Sequence, residues 1–181
     1  MPIYELNGKR PTIAGSSYVH PTAVIIGNVT IGEDCWIGPN ATIRGDEHAI
    51  RIGDGSDVQD NCVIHGETAL GPRCRMGHGA IVHGAALGEG VLVAMNAVVL
   101  DGVRLGAGVV VAAGSVVAPK AEVAERKVVM GVPGAVVGDL PAGMQRAGED
   151  EDYMAAIPLY RDHLVEVPIV ECGDPKQGDR P

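Results

Sequence analysis

The sequence predicts an all-β solenoid, a parallel β-helix of three-sided coils, followed by one C-terminal α-helix packed along it. Three observations predict it. An aliphatic residue recurs every sixth position, at Val19, Ile25, Ile31, Ile37 and Ile43. After a short insertion the count resumes at Ile52, Val58, Ile64, Leu70, Met76 and Val82, and after one dropped residue Leu87, Val93, Val99, Leu105, Val111 and Val117 follow. A small or thin residue stands four positions later, as at Ala23, Cys35, Ala41, Ser56, Cys62, Cys74 and Ala80. Glycine often follows the aliphatic residue directly, as in Ile37-Gly38, Ile52-Gly53 and Met76-Gly77.

A period of six does not match an α-helix. It matches a short extended segment plus a turn, with glycine supplying conformations that other residues resist. Three such segments close a coil of about 18 residues. Coils then stack at the β spacing of about 4.8 Å, with the aliphatic and small residues filling the tube.

The elements follow in order. Residues 1–18 are an N-terminal cap on the first coil, and residues 19–135 are the β-helix. The stretch Met130-Gly131-Val132-Pro133-Gly134-Ala135 reads as the exit turn. Residues 139–165 read as a helix that lays Met144, Met154, Ile157 and Leu164 against the tube. The run Glu149-Asp150-Glu151-Asp152 suits a helix N-terminus, and Pro158 should kink or interrupt the helix. Residues 166–181 are a polar tail with Gly and Pro, expected to be disordered.

Composition agrees. The chain has 26 Gly and no Phe. A thin tube has no room for an aromatic core, so the few aromatics belong outside it. The net charge of −9 argues against nucleic acid as a partner. The start lacks a basic segment followed by an apolar one, and no apolar run is long enough to span a bilayer. Cys35, Cys62 and Cys74 occupy interior positions and read as reduced thiols, while Cys172 lies in the tail. These features predict a cytoplasmic protein with no membrane partner.

The same ruler places the histidines. His65 follows Ile64 and His83 follows Val82, one coil apart, so both point outward on one face. The insertion before Ile52 puts Arg44 one coil ahead in that column. His78 lies two after Met76, on the preceding face, with Asp60 one coil earlier. Zinc is held by imidazole nitrogens at about 2.0–2.1 Å, which two histidines on adjacent rungs can provide. His78 should diverge from them, so a third ligand must come from a neighbouring copy. A closed homotrimer with three interface sites satisfies this. His20, His48 and His163 read as ordinary surface residues.

The joint pattern Arg44-Gly45-Asp46-Glu47, Val58-Gln59-Asp60-Asn61, His65, Gly77-His78 and His83-Gly84 resembles the γ-class carbonic anhydrase family. It looks most similar to the subgroup of phenylacetate-degradation and carnitine-operon type proteins. The resemblance implies a left-handed coil, a trimer, and Zn2+, Fe2+ or Co2+ on His65, His78 and His83. It implies reversible hydration of carbon dioxide to bicarbonate. Gln59 would orient the water at the metal, Glu47 would assist proton transfer, Arg44 and Asp46 would form an interface ion pair, and Asp60 would support interface and site.

Two departures bear on activity. Asp57 stands where the family usually has Asn, and would add negative charge near the metal or serve as a turn residue. The segment Gly66-Glu67-Thr68-Ala69-Leu70-Gly71 is short where the founding enzymes carry an acidic loop, which implies slow proton export and modest turnover. The alternatives are a hexapeptide acyltransferase, a metal-dependent thioesterase on the same site, and a non-catalytic structural trimer.

Overall fold

Successive rungs of the chain lie one above another in parallel register, in a computed structural model that describes residues 2–141 and 153–167. The architecture is a left-handed parallel β-helix of about seven turns with one short helix against it. The first face stacks Tyr18–Val19, Trp36–Ile37, Asp57–Val58, Arg75–Met76, Leu92–Val93, Val110–Val111 and Lys127–Met130. The second face stacks the first halves of Val24–Ile31 and Thr42–Ile52, then Val63–His65, Ile81–His83, Val98–Val99 and Val116–Val117. The third takes the second halves of those long strands, then Thr68–Leu70, Ala86–Leu87, Arg104–Leu105 and Glu122–Val123.

The tube interior is the six-residue ladder of the sequence. Ile25, Ile37, Ile43, Val58, Ile64, Met76, Val82, Val93, Val99 and Val111 are all fully buried, with Ala41, Cys62, Cys74, Ala80 and Ala97 between them. Cys35, Cys62 and Cys74 point inward, and burial pushes the Cys62 thiol up to about 12. A thiol held neutral in this way is inert as a nucleophile.

Corners are made by residues in the left-handed backbone region. Asn40, Asn61, Gly79, Asn96 and Gly114 repeat at one corner, with φ of 58°, 61°, 71°, 56° and 68°. Asn and Gly adopt this region at the least steric cost, which explains their recurrence once per coil.

The three-residue insertion has a defined place. Gly27 pairs with Gly45, but Val29 pairs with Ile50, so the added residues swell outward between Gly45 and Ile50. Asp46 and Glu47 ride on this bulge.

Several expectations are corrected here. The N-terminal segment does more than cap: Ile3–Tyr4 pairs with Ile25–Ile26, and Thr12–Ile13 pairs with Thr30–Ile31, so it supplies two sides of the first coil. The predicted helix over 139–165 begins too early. Ala135–Asp139 is instead a strand, antiparallel to Lys127–Met130, that covers the last rung. This hairpin pairs the outer edge of Lys127–Met130, which the parallel stack would otherwise leave open. The helix spans Tyr153–His163 and continues through Pro158 without interruption. Met144, the acidic run at 149–152, Cys172 and most of the predicted tail lie outside the described residues.

The helix packs where the aromatics are. Ile157 is buried against Tyr18 and Trp36, whose rings stack at 4.8 Å on the outside of the first face. Tyr160 meets Trp36 edge-on at 4.7 Å, and Arg161 donates to the Ser16 carbonyl at 2.8 Å. Met154 packs there too, whereas Leu164 is exposed. No helix among the described residues is long and apolar enough to cross a membrane.

Candidate metal centre

His65 and His83 stand in register on adjacent rungs of the second face, and Arg44 is in register with His65 one rung earlier. Each side chain points outward because the preceding residue, Ile43, Ile64 or Val82, points in. His65 Nδ1 lies 3.0 Å from His83 Nε2. The outer nitrogens face carboxylates: His65 Nε2 is 3.0 Å from Asp46 Oδ1, and His83 Nδ1 is 2.8 Å from Asp101 Oδ1.

This arrangement fixes the tautomers. A carboxylate only accepts, so each outer nitrogen carries the N–H. The two inner nitrogens then present lone pairs to one another. Lone pairs at 3.0 Å repel unless a proton or a cation is shared between them. Two nitrogens on one tetrahedral zinc ion would stand roughly 3.3 Å apart. The pair therefore fits half of a metal site, and a carboxylate behind each metal-facing imidazole is the usual support for such ligands.

Asp46 is the hub. Burial alone would raise its carboxyl, but the Glu47 N–H, the His65 ring and the Arg44 guanidinium outweigh that and hold it well below the usual carboxylate range. The Glu47 N–H donates to Asp46 Oδ1 at 2.9 Å, and Arg44 Nη1 pairs with Oδ2. Asp46 thus stays ionised and keeps His65 in one orientation.

His78 sits on the neighbouring corner, just before the left-handed Gly79. Its Nδ1 is 3.8 Å from Asp60 Oδ2, and its Nε2 is 3.4 Å from the Tyr153 hydroxyl. A carboxylate thus hydrogen-bonds His65 and His83, whereas Asp60 lies near His78 without bonding it. Among the described residues of one chain, no cluster of three or more His, Cys, Asp or Glu side chains could hold a metal ion.

Asp57 is not in a turn, and its carboxylate is paired. It lies in a first-face strand, fully buried, with its carboxylate between the Arg75 guanidinium and the Gln59 amide. Glu47 is exposed on the bulge, at the mouth of a groove of about 570 Å³ that runs from His65 and His83 past Ala69 and Ala86 to Arg51 and Arg104.

Three residues escaped the sequence reading. Arg75 lies 18 after Asp57 and pairs with it in register, so the coil period would have found it; the residue dropped before Leu87 shortens the next coil to 17, so Asp101 stands one place past the register of His83. Tyr153 reaches His78 from the C-terminal helix, and no repeat announces it.

Fold and comparison with known proteins define the class. The family model "Bacterial transferase hexapeptide (six repeats)" matches residues 10–45 and 84–119, and "Hexapeptide repeat of succinyl-transferase" matches residues 28–65. The chain belongs to the bacterial hexapeptide-repeat family that includes the carnitine operon protein CaiE. To CaiE of Escherichia coli (strain SMS-3-5 / SECEC) it is 38% identical over 141 residues, covering 76% of this chain and 72% of that protein. The product of the Bacillus cereus BC4754 gene superposes with a TM-score of 0.76 at 32% identity, over 87% of this chain and 90% of that one. A hexapeptide transferase family protein of Anaplasma phagocytophilum superposes with a TM-score of 0.79 at 29% identity, over 90% and 98% of the two chains.

Proposed function

We propose that this chain is a metal-dependent hydratase of the γ carbonic anhydrase type, acting as a homotrimer on carbon dioxide and bicarbonate. One observation carries the reading: two imidazole nitrogens converge at 3.0 Å, each ring held by a carboxylate at its other nitrogen. Nothing in the solenoid needs that pair for folding, since both side chains point out of the tube.

His65 and His83 would hold the ion together with His78 of the next copy. A divalent ion such as Zn2+, Fe2+ or Co2+ acidifies water and so supplies a hydroxide nucleophile near neutral pH. Asp46 and Asp101 would hold the His65 and His83 rings in place through their outer nitrogens, with Asp60 beside His78. Gln59 orients the water, and Glu47 accepts the proton and passes it to buffer at the groove mouth. Carbon dioxide and water give bicarbonate and one proton, so each turnover needs this export. The exposed, single Glu47 route implies a modest rate.

A second reading, acyl transfer, has its own support. His83 Nδ1 on Asp101 is the arrangement of a general base held by an acid, with Nε2 left to take a proton. The groove beside it is far larger than carbon dioxide requires. The matched family models and the Anaplasma phagocytophilum relative carry the word transferase in their names. A thioesterase would use the same groove with water as acceptor, and a structural trimer would use neither.

Freshly purified protein should hydrate carbon dioxide measurably but modestly, lose this on chelation and regain it with Zn2+ or Co2+. Glu47→Ala should slow turnover in weak buffer and recover in part when small buffers carry the proton. A fully metallated trimer inactive at every buffer strength would overturn the hydratase reading, and acyl transfer from acetyl-coenzyme A to an added amine would replace it.

Asp101→Ala should lower Zn2+ affinity about 10–100-fold, because the His83 ring loses its anchor and its tautomer. Competition with a chromogenic chelator measures this. Unchanged affinity would remove Asp101 from the site. The adjacent Gly84 has little latitude, since a Cβ there would lie 2.6 Å from Asp101 Oδ1, at φ 63°.

A further inference from the structure

Asp57, Gln59 and Arg75 form a polar network in which all three side chains are nearly sealed from solvent, at 0%, 2% and 3% exposure. Asp57 and Arg75 are paired in register on the first face. Arg75 Nε donates to Asp57 Oδ2 at 2.8 Å, and Gln59 Nε2 donates to Asp57 Oδ1 at 2.8 Å. The Arg75 guanidinium also lies 5.7 Å from the Tyr153 ring centroid, and that tyrosine's hydroxyl is the one against His78.

The chemistry of the network has a direction. A guanidinium only donates, so the carboxylate facing it stays ionised. An ionised carboxylate only accepts, so Gln59 must turn its NH2 toward Asp57. Its carbonyl oxygen Oε1 then occupies the opposite end as an acceptor. An asparagine at 57 would enforce no such sense, because an amide offers either end to another amide. Acid at 57 and arginine at 75 therefore belong together, since changing either one breaks a buried ion pair.

We propose that Arg75 is a positioning residue which, through Asp57, fixes the Gln59 carbonyl oxygen as a hydrogen-bond acceptor on the His78 corner. Gln59 follows Val58 as Gly77 follows Met76 on the paired rung, one residue from His78. A fixed acceptor there engages a donor, the O–H of water or of bicarbonate. That last use rests on the hydratase reading; the fixed orientation does not.

The chain contains three glutamines, Gln59, Gln145 and Gln177, so 15N-glutamine labelling of the full-length protein gives three side-chain amide signals. In metal-free protein the Gln59 pair should exchange with solvent at least tenfold more slowly than the pair of a free glutamine. Arg75→Lys keeps a donor-only cation and should keep that protection. Asp57→Asn and Arg75→Met each break the buried ion pair and should unfold at lower denaturant. The double variant D57N/R75M removes both charges and should recover the midpoint, yet lose the Gln59 protection. In the metal-loaded trimer it should keep KM for carbon dioxide and lose about tenfold in kcat.

A double variant with wild-type protection at Gln59 and wild-type kcat would overturn the proposal, leaving the pair a packing feature. Loss of protection in Arg75→Lys would overturn it also. If the protection follows the expected order but no form hydrates carbon dioxide, the orientation of Gln59 stands and the hydratase reading falls.

Discussion

His78→Ala should empty the metal site completely while leaving the solenoid and its assembly intact, and His65→Ala should do the same. Neither side chain enters the tube, where the core is the aliphatic ladder. The two variants differ in what they retain. The His78 variant keeps the in-register pair at 65 and 83, and the His65 variant keeps the corner imidazole. If each site combines the pair of one copy with His78 of the next, mixed trimers should regain metal where the two meet in the right order. Random mixing of equal amounts should restore about one site in four, since each of two positions is filled correctly half the time. Metal analysis after co-refolding, with mass spectrometry to count mixed trimers, measures the recovery. Mixed trimers that stay empty would rule out a shared site. A single chain that binds stoichiometric metal as a monomer would rule it out equally.

The register was legible in the sequence because coil geometry leaves it little freedom. Once Ile64 and Val82 are inward on successive rungs, His65 and His83 must stack outward, and the same count puts Arg44 before them. The insertion was visible as an interruption, but its outward swelling at Asp46 and Glu47 was not. Arg75 was within reach of the same ruler, since it falls one 18-residue coil from Asp57, whereas Asp101 stands one place past the register of His83 on a 17-residue coil. Asp57 read alone suggests added charge near the metal or a turn; read with position 75 it is half of an ion pair.

What lay beyond the repeat was harder. Val128-Val129 and Val136-Val137 flank a turn at Gly131-Val132-Pro133-Gly134, a hairpin pattern, but the acidic run further on drew the helix forward to Asp139. The seat of the helix depends on Tyr18, Trp36 and Ile157 meeting across the outside of the tube. The coil period links Tyr18 to Trp36, but nothing periodic links either to Ile157, so Tyr153 could not be placed beside His78 from sequence.

Arg44→Ala should weaken the proposed trimer far more than it weakens the fold. Arg44 stands in the outward column with His65 and His83, flanked by Val63 and Ile81, which are exposed apolar residues on the same face. A stripe of this kind is suited to being covered by a second copy. Its guanidinium pairs with Asp46, the carboxylate that also holds His65. Within one chain the pair is part-exposed and so contributes little to stability. At an assembled seam it loses water, and truncating one partner of a buried, hydrogen-bonded charge pair costs about 2–5 kcal/mol. That corresponds to a dissociation constant raised about 30-fold to several thousand-fold. Sedimentation equilibrium over a dilution series measures the constant, and far-ultraviolet circular dichroism checks that the solenoid is kept. The substitution also removes one of the groups holding Asp46 ionised, so metal affinity should fall even at concentrations where the trimer is intact. An unchanged dissociation constant would make Arg44 a surface residue of the monomer. A lower metal affinity with that constant unchanged would leave it only the support of Asp46 and His65.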